Sequence, residues 1–311
     1  MTTEIVQVQS VFITGLNTAA GQALALRLRA AGHTVAGVVT SSDEAAWYRR
    51  FGVTPAYAVL TRPGELRSAI QGTAATILVN CAAQESNHVP HIPASWDAPL
   101  ADYAEALEEA AAQTQAEYLL HTSFSFAGGH LSEENEGAED IVHAAQAAEA
   151  IALSASVPSA VLRFGYTYGP SDKAMVALRE ALRIGRPLNA GEETIPAGWI
   201  YAPDAAAAMA KAIEQRVSGV TLDVVDDHPQ PPAEFVRMFA RMQGLGVPGR
   251  VPLFFRRMLS TEVQRQIMKI ETHPANTAAR EALGWEPRFR NIEAGLDDLL
   301  LQWRAAMTVQ A

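Results

Sequence analysis

The chain has one cysteine, few basic residues and no long apolar run. The single thiol of Cys81 excludes an internal disulfide. Lys and Arg number 24 against 34 Asp and Glu, and the resulting formal net charge of -10 disfavours nucleic acid and anionic membrane surfaces as partners. No segment approaches the roughly 20 apolar residues that cross a bilayer, and the first ten residues lack the pattern of a signal peptide. We therefore expect a cytoplasmic protein that binds neither nucleic acid nor membrane.

The remaining composition, 49% hydrophobic in 311 residues, is enough for a large core. In the first two thirds of the chain, short apolar runs alternate with segments of helical period, a pattern typical of parallel strands joined by crossover helices. The predicted strands are 10–14, 34–39, 54–59, 76–81, 117–123, 159–164 and 220–224. The predicted helices are 20–31, 43–51, 63–71, 99–114, 138–156 and 204–216, followed by one that begins at the prolines of 229–232.

Prolines at 170, 187, 196 and 203 break the chain after the sixth strand. These short pieces favour a smaller lobe that lies over the strand ends. The fold class predicted is α/β, a Rossmann-like doubly wound parallel sheet with a smaller, interleaved C-terminal substrate lobe. We expect residues 1–164 to form the dinucleotide-binding domain with 199–226 returning to it, and residues 165–198 and 227–311 to form the lobe.

A glycine turn opens the chain's first predicted crossover. Residues 11–24, VFITGLNTAAGQAL, predict a buried strand, a tight turn at Gly15 and a helix packed closely through Gly21. Free backbone N–H groups and the helix dipole would hold a pyrophosphate there. The middle position of the motif carries Thr18, whose hydroxyl could bond a phosphate or whose bulk could block one. The residues expected at the cofactor are Thr14, Gly15, Asn17, Thr18, Ala19, Ala20 and Gly21.

The end of the second predicted strand bears on the choice of cofactor. An acidic residue there binds the ribose 2′-hydroxyl of NAD, whereas this chain has Thr40 and Ser41. Neutral hydroxyls disfavour a strict preference for NAD and leave NADP or no preference open. The alternative is that these hydroxyls cap the following helix.

Several separated segments share one order along the chain: ILVNCAA (77–83), LLHTSFSFAGG (119–129), AVLRFGYTYGP (160–170), WIYAPDAAAA (199–208) and LGWEP (283–287). With the glycine turn, they resemble the atypical extended short-chain dehydrogenase/reductases of the NAD-dependent epimerase/dehydratase family over almost the full length. The resemblance implies NAD or NADP as cofactor, a small-molecule substrate, and a homodimer formed through helices 99–114 and 138–156. It also places Ala82, Ala83, Gln84 and Phe164 at the cofactor.

The resemblance further implies a catalytic serine and a tyrosine with a lysine four residues later. The serine falls on Ser123, which would polarise a substrate oxygen. The tyrosine and lysine fall on Ile141 and Ala145, neither of which carries a proton. If catalysis persists, Tyr166 or Tyr201 is the candidate proton carrier.

The loop of residues 84–97 follows the fourth predicted strand. Its His88 and His91 are three residues apart, but prolines interrupt the loop and we expect no metal site. A substrate-contacting lid and a plain surface loop are the two interpretations of this loop. For the whole chain, the first hypothesis is a reductase, epimerase or dehydratase-like enzyme acting on a small hydroxy, keto or sugar-like substrate. The alternatives are a catalytically silent dinucleotide sensor and a non-redox lyase or isomerase.

Overall fold

The computed structural model describes residues 8–87, 98–131, 137–186, 195–247 and 261–310. The strands are β1 (Ser10–Thr14), β2 (Thr34–Val38), β3 (Thr54–Ala56), β4 (Ile77–Asn80), β5 (Tyr118–Phe124), β6 (Ser159–Phe164), β7 (Tyr166–Tyr168), β8 (Trp199–Tyr201) and β9 (Val220–Val224). The helices are α1 (Ala19–Ala30), α2 (Ser42–Arg50), α3 (Pro63–Thr73), α4 (Leu100–Ala112), α5 (Glu139–Leu153), α6 (Lys173–Arg183), α7 (Ala202–Gln215), α8 (Pro232–Met242), α9 (Glu262–Ile267), α10 (Thr277–Leu283) and α11 (Ile292–Gln310). Short 3₁₀ segments occupy Ala82–Ser86 and Ser125–Gly128.

Seven strands form one parallel sheet in the order β3-β2-β1-β4-β5-β6-β9. The order reverses beside β1, because the chain runs outward to β3 and then crosses back to β4. Open sheets of this kind bind ligands where the order reverses, at the carboxyl ends of the strands. The predicted Rossmann-like doubly wound fold is confirmed.

Side chains of the central strands alternate between two helical layers. Val11 and Ile13 of β1 pack in a core with Leu24 of α1 and Met209 of α7. Phe12, between them in sequence, packs on the opposite face, in a core that α3 and α4 share. All three β1 side chains are fully buried, which is why the strand is a continuous apolar run.

The predicted strand and helix bounds agree with the structure to within three residues at each end. The largest strand error is at β3, which was predicted over 54–59 and ends at Ala56. Pro55 has no N–H to give to a ladder, so such a strand is tolerated only at a sheet edge. β3 is the edge strand beside β2. The two-stranded sheet of β7 and β8 was not predicted.

A second apolar core lies outside the seven-stranded sheet. It joins Tyr168 and Trp199 of β7 and β8 to Phe235 of α8 and Leu296 of α11. The rings of Trp199 and Phe235 stack with centroids 4.4 Å apart. Among the helices in the described ranges, none is both long and apolar enough to cross a lipid bilayer.

Candidate cofactor and substrate site

A tight turn joins β1 to α1 at the carboxyl edge of the sheet. Gly15 has a φ of +76°, and a Cβ atom on it would lie 2.5 Å from the carbonyl carbon of Cys81. A Cβ atom on Gly21 would lie 2.3 Å from the carbonyl oxygen of Gly15. Both positions therefore require glycine, because the backbones of β1, β4 and α1 approach one another without room for a side chain.

Thr18, the departure from the glycine motif, is turned inward. Its hydroxyl donates to the carbonyl oxygen of Gly15 (2.7 Å) and accepts from the amide of Gly21 (3.0 Å). The side chain is the N-cap of α1 and is 5% exposed. The threonine hydroxyl thus closes the turn through two hydrogen bonds within the turn itself.

The residues of this turn fit a pyrophosphate. Ala19 and Ala20 begin α1, so their amides have no acceptor within the helix. Alanine side chains leave these amides open to a ligand, and the first turn of α1 contains no acidic residue. The positive end of the helix dipole therefore meets no negative side chain from its own first turn.

A buried polar network holds the turn against the neighbouring strands. The Thr14 hydroxyl donates to Oδ1 of Asn80 (2.9 Å), which also accepts from the Ala82 amide (3.2 Å). Nδ2 of Asn80 donates to Nδ1 of His121 (3.2 Å). Burial lowers the pKa of His121 to about 4, so the imidazole is neutral at physiological pH. The predicted cofactor residue Thr14 therefore serves the framework of the turn.

Two side chains tie the ends of β4, β5 and β6 together. Nε2 of Gln84 donates to the carbonyl oxygen of Ser123 (2.9 Å). Nδ2 of Asn87 donates to Oε1 of Gln84 (2.6 Å) and to the carbonyl oxygen of Gly165 (3.0 Å). Gln84 and Asn87 are 5% and 4% exposed. They fix the floor of the crevice where a nicotinamide ring would lie beside the sheet.

The segment after β4 also reaches the glycine turn. Nδ2 of Asn17 donates to Oε1 of Glu85 (3.1 Å) on the exposed side of the crevice. Ala82 and Ala83, the other predicted cofactor residues of this segment, are buried. The two chain segments that flank a bound dinucleotide are therefore in direct contact.

Thr40 and Ser41 lie between the carboxyl end of β2 and the first residue of α2. The Ser41 hydroxyl accepts from the Glu44 amide (3.2 Å) as the N-cap of α2. Oε2 of Glu44 in turn accepts from the Thr40 amide (2.7 Å) and hydroxyl (2.9 Å). Both predicted cofactor residues thus have capping contacts. The Glu44 carboxylate lies at this strand end, where only neutral hydroxyls were predicted.

Ser123 lies inside β5, as the predicted strand 117–123 indicates. The strand continues to Phe124, and Ser123 is 1% exposed. Its hydroxyl donates to Oε1 of Glu149 on α5 (2.5 Å). Nε and Nη2 of Arg163 donate to the two oxygens of the same carboxylate at 2.8 and 2.6 Å. Ser123 is therefore part of a buried, bidentate ion-pair network.

Ser125, two residues later, lines a small open cavity. The cavity is mostly apolar with a few neutral polar groups, and none of the described residues that line it is charged. It is lined by Asn87, Ser125, Phe126, Phe164, Tyr166, Ile195, Pro196, Ala197, Pro232, Ile267, Met268, Ile270 and Thr272.

The two candidate tyrosines have different places. Tyr166 lines the cavity beside the predicted cofactor residue Phe164, and burial raises the pKa of its hydroxyl. Tyr201 does not line this cavity. Its hydroxyl donates to Oδ2 of Asp298 (2.8 Å) within the second core, and burial, then the Asp298 hydrogen bond, raises its pKa. Both hydroxyls stay protonated at neutral pH, so neither is a base there.

Ile141 and Ala145, which the resemblance aligns with a tyrosine and a lysine, are on α5. They are 7% and 1% exposed and pack in an apolar cluster with Phe124 and Phe126. This face of α5 is therefore part of an apolar cluster and carries no proton donor. The predicted lid residues His88 and His91 lie outside the described residues.

Four polar residues at this edge were missed by the sequence analysis as site residues. Glu44 had a readable signal, since Ser41 and Glu44 have the spacing of a capping box. Ser125 was passed over because counting back from Gly128 in the family motif gave Ser123. Asn87 and Glu149 were missed because, apart from the contact of Asn87 with Gln84, their partners lie 14 to 80 residues away.

Comparisons with known proteins agree on one family. A sequence model of the NAD-dependent epimerase/dehydratase family matches residues 11–225. A 3-diazoavenalumate denitrifying reductase of Streptomyces sp. is 26% identical, over 92% of this chain and 98% of its own. The UDP-glucose 4-epimerase of Thermotoga maritima, solved with UDP-glucose, superposes with a TM-score of 0.75 at 16% identity over 96% of this chain and 100% of its own. The dTDP-glucose 4,6-dehydratase of Bacillus anthracis, solved with NAD, has a TM-score of 0.75 at 14% identity over 96% and 97%.

The match covers more than half of the chain, and the glycine turn fits the dinucleotide that the family uses. The chain therefore belongs to the NAD-dependent epimerase/dehydratase family, and its cofactor is a nicotinamide adenine dinucleotide.

Proposed function

We propose that the protein is an NAD(P)-dependent reductase for a small aromatic substrate whose reduction needs a hydride and no enzyme-supplied proton. One observation carries this proposal. The positions that the family resemblance assigns to the proton-transferring tyrosine and its lysine are Ile141 and Ala145, buried among hydrocarbon side chains. Carbonyl reduction and its reverse need a proton to be exchanged as the hydride moves. A substrate that accepts hydride and loses a neutral leaving group has no such need.

An arenediazonium group has this property. A reduced dinucleotide, when bound, would supply the hydride. The hydride takes the place of the diazo group, so the carbon–nitrogen bond breaks, a new carbon–hydrogen bond forms and dinitrogen leaves. The cationic substrate and one hydride give a neutral arene and neutral dinitrogen, so atoms and charge balance without an added proton. The name of the Streptomyces relative, a reductase that denitrifies a diazo compound, supports this choice of substrate class.

The cavity supports an aromatic substrate as well. Phe126, Phe164 and Met268 supply apolar contact surface, while Asn87 and Ser125 supply neutral hydrogen-bonding groups. A nucleotide sugar carries two phosphates that require cationic or multiple N–H partners, and the described lining has no charged side chain. The residues named in this paragraph would orient the ring, and Tyr166 would donate a hydrogen bond to a substrate oxygen. Tyr201 has no part in this proposal.

Isotope transfer tests the proposal. The purified protein would be incubated with 4-hydroxybenzenediazonium and with NADH or NADPH deuterated on one or the other face of C4. We expect deuterium in the phenol product from one face only, with release of one dinitrogen per dinucleotide oxidised. Direct chemical reduction without protein serves as the control, because it does not select a face. Equal transfer from both faces, or no rate above that control, would contradict the proposal.

The remaining expectations belong to the same proposal. The dinucleotide-binding domain is residues 1–164 with 199–226, and the substrate lobe is residues 165–198 with 227–311. Pairing of β9 with β6 supports the return of the second segment to the sheet. A homodimer through α4 and α5 and a cytoplasmic location stay predictions.

A further inference from the structure

The side-chain amide of Gln84 has one orientation that satisfies its neighbours. Its nitrogen Nε2 donates to the carbonyl oxygen of Ser123 (2.9 Å), and a backbone carbonyl can only accept. The nitrogen must therefore face Ser123, and the oxygen Oε1 faces Asn87, whose Nδ2 is 2.6 Å away. Gln84 is 5% exposed. The backbone of β5 thus fixes which end of this buried amide meets Asn87.

Gln84 in turn fixes the amide of Asn87. Oε1 of Gln84 and the carbonyl oxygen of Gly165 are both acceptors, and they lie 2.6 and 3.0 Å from Nδ2 of Asn87. A reversed Asn87 amide would place its oxygen against these two acceptors. The Thr167 hydroxyl, 3.4 Å from the same nitrogen, already donates to the Gly165 carbonyl oxygen (3.2 Å). Both N–H groups of the Asn87 side chain are therefore used within the protein.

The amide oxygen of Asn87 is left without such a contact. No residue in the described ranges donates a hydrogen bond to this Oδ1 atom, although Asn87 is 4% exposed and lines the cavity. The other polar side chains of the described lining are the hydroxyls of Ser125, Tyr166 and Thr272. A hydroxyl can donate or accept, whereas an amide oxygen can only accept. Oδ1 of Asn87 is therefore the atom of this lining that distinguishes a donor from an acceptor on a ligand.

We propose that Asn87 is a specificity-determining residue that requires a hydrogen-bond donor, such as a hydroxyl or amino group, on the ring of the substrate. This inference rests on the proposed function, because it takes the cavity to be the substrate site. A ring hydroxyl donates to Oδ1 of Asn87 and can at the same time accept from Tyr166. A ring without a donor would cover Oδ1 and leave it unpaired, and a site of this kind rejects the analogue that lacks the group.

Binding of small arenes to the full-length protein tests this inference without turnover. Phenol and aniline carry a hydrogen-bond donor, whereas the ether oxygen of anisole can only accept. In calorimetric titrations with excess NAD⁺ present, we expect phenol and aniline to bind about tenfold more tightly than anisole. Asn87→Leu replaces the amide by hydrocarbon of similar size. It should bring the dissociation constants of phenol and anisole to within about threefold of each other.

Thr167→Val is the matched control. The Thr167 hydroxyl contacts the same nitrogen of Asn87, but Thr167 is not among the described residues that line the cavity. Gln84 and Gly165 still hold the amide in this variant, so the preference for phenol over anisole should be unchanged. Circular dichroism would verify that each variant is folded. The comparison of phenol with anisole on the wild-type protein needs no variant, so it tests the inference even if Asn87→Leu does not fold.

Wild-type protein that binds anisole as tightly as phenol, or that shows no binding of phenol, would overturn the inference. An undiminished preference for phenol in folded Asn87→Leu would do the same. Failure of the proposed reaction is a separate result. It would appear as absent isotope transfer from the dinucleotide while phenol still binds more tightly than anisole.

Discussion

Ser123 and Glu149 share a 2.5 Å hydrogen bond in which the serine hydroxyl donates to the carboxylate. Arg163 completes the arrangement with two hydrogen bonds to the same carboxylate. Glu149 is 5% exposed, so its charge depends on these donors for solvation. Ser123, which the family motif aligns with the catalytic serine, is thus buried and hydrogen-bonded within the protein. The serine that lines the cavity is Ser125.

Substitution of the two serines separates these roles. Ser123→Ala leaves a buried carboxylate oxygen with one donor fewer, which should lower the free energy of unfolding by about 1–3 kcal/mol. Turnover per folded molecule should change less than twofold. Ser125→Ala should leave unfolding unchanged and lower kcat/KM about tenfold by loss of a substrate contact. Urea titration measures the free energy of unfolding and steady-state kinetics measures kcat/KM. A loss of kcat/KM in Ser123→Ala together with a loss of stability in Ser125→Ala would identify Ser123 as the substrate-contacting serine.

Gly15→Ala should abolish dinucleotide binding and destabilise the protein. The new Cβ would lie 2.5 Å from the carbonyl carbon of Cys81, and the alanine would have to adopt the φ of +76° that Gly15 has. Gly32→Ala is the control, because Gly32 has a φ of +90° and nothing within 4 Å of its Cβ position. Strain alone costs roughly 1–3 kcal/mol, so the excess loss in Gly15→Ala reports the close approach. Equal losses in the two variants would show that the turn can relax.

We expect the buried carboxyl of Asp226 to lower the free energy of unfolding as the pH rises. Burial raises the pKa of this carboxyl to about 8, and no described residue pairs with its buried Oδ2. Between about pH 4 and pH 8 the folded protein holds a proton on Asp226 that the unfolded chain, with a pKa of about 3.9, has already released. The free energy of unfolding therefore decreases over this range and does not change further above about pH 8. Asp226→Asn should flatten this slope and raise stability at pH 8 by more than about 1 kcal/mol.

Asp227→Asn is the neighbouring control for that experiment. Oδ1 of Asp227 accepts from Asn276 (2.8 Å) and from Arg280 (2.5 Å). Loss of its charge should therefore lower the melting temperature at pH 8, the opposite sign to Asp226→Asn. Thermal unfolding followed between pH 5 and 9 distinguishes them, and a steeper slope in Asp226→Asn would mean that Asp226 is ionised in the folded protein.

Tyr166→Phe should raise KM about fivefold and leave kcat within twofold. The loss of one neutral hydrogen bond corresponds to about 1 kcal/mol, and a tyrosine that is not a proton carrier does not limit the chemical step. Tyr201→Phe should change neither constant but should lower the unfolding free energy, because the Asp298 carboxylate loses one of its two donors and keeps only Gln302 among the described residues. A fall of about 10²-fold in kcat for Tyr166→Phe would identify it as a general acid or base instead.

Local patterns in the chain determined the sheet, most of its element bounds and the glycine turn. Val11, Phe12 and Ile13 form a short run of β-branched and aromatic residues, which favours a strand buried on both faces. Gly15 and Gly21 mark the turn because no other residue leaves room for the adjoining backbone. The Ser41 and Glu44 cap was equally local, since its donor and acceptor are three residues apart.

Only the tertiary structure decided what the polar groups at the sheet edge do. The Ser123 hydroxyl donates to Glu149, 26 residues away, and the Tyr201 hydroxyl donates to Asp298, 97 residues away. A hydroxyl or carboxylate bonds whichever partner the fold brings within about 3 Å. Helix and strand periods are set by neighbours in sequence, whereas such partners are set by how distant elements pack. Sequence thus predicted where the candidate site lies, and packing decided which of its polar side chains are paired within the protein.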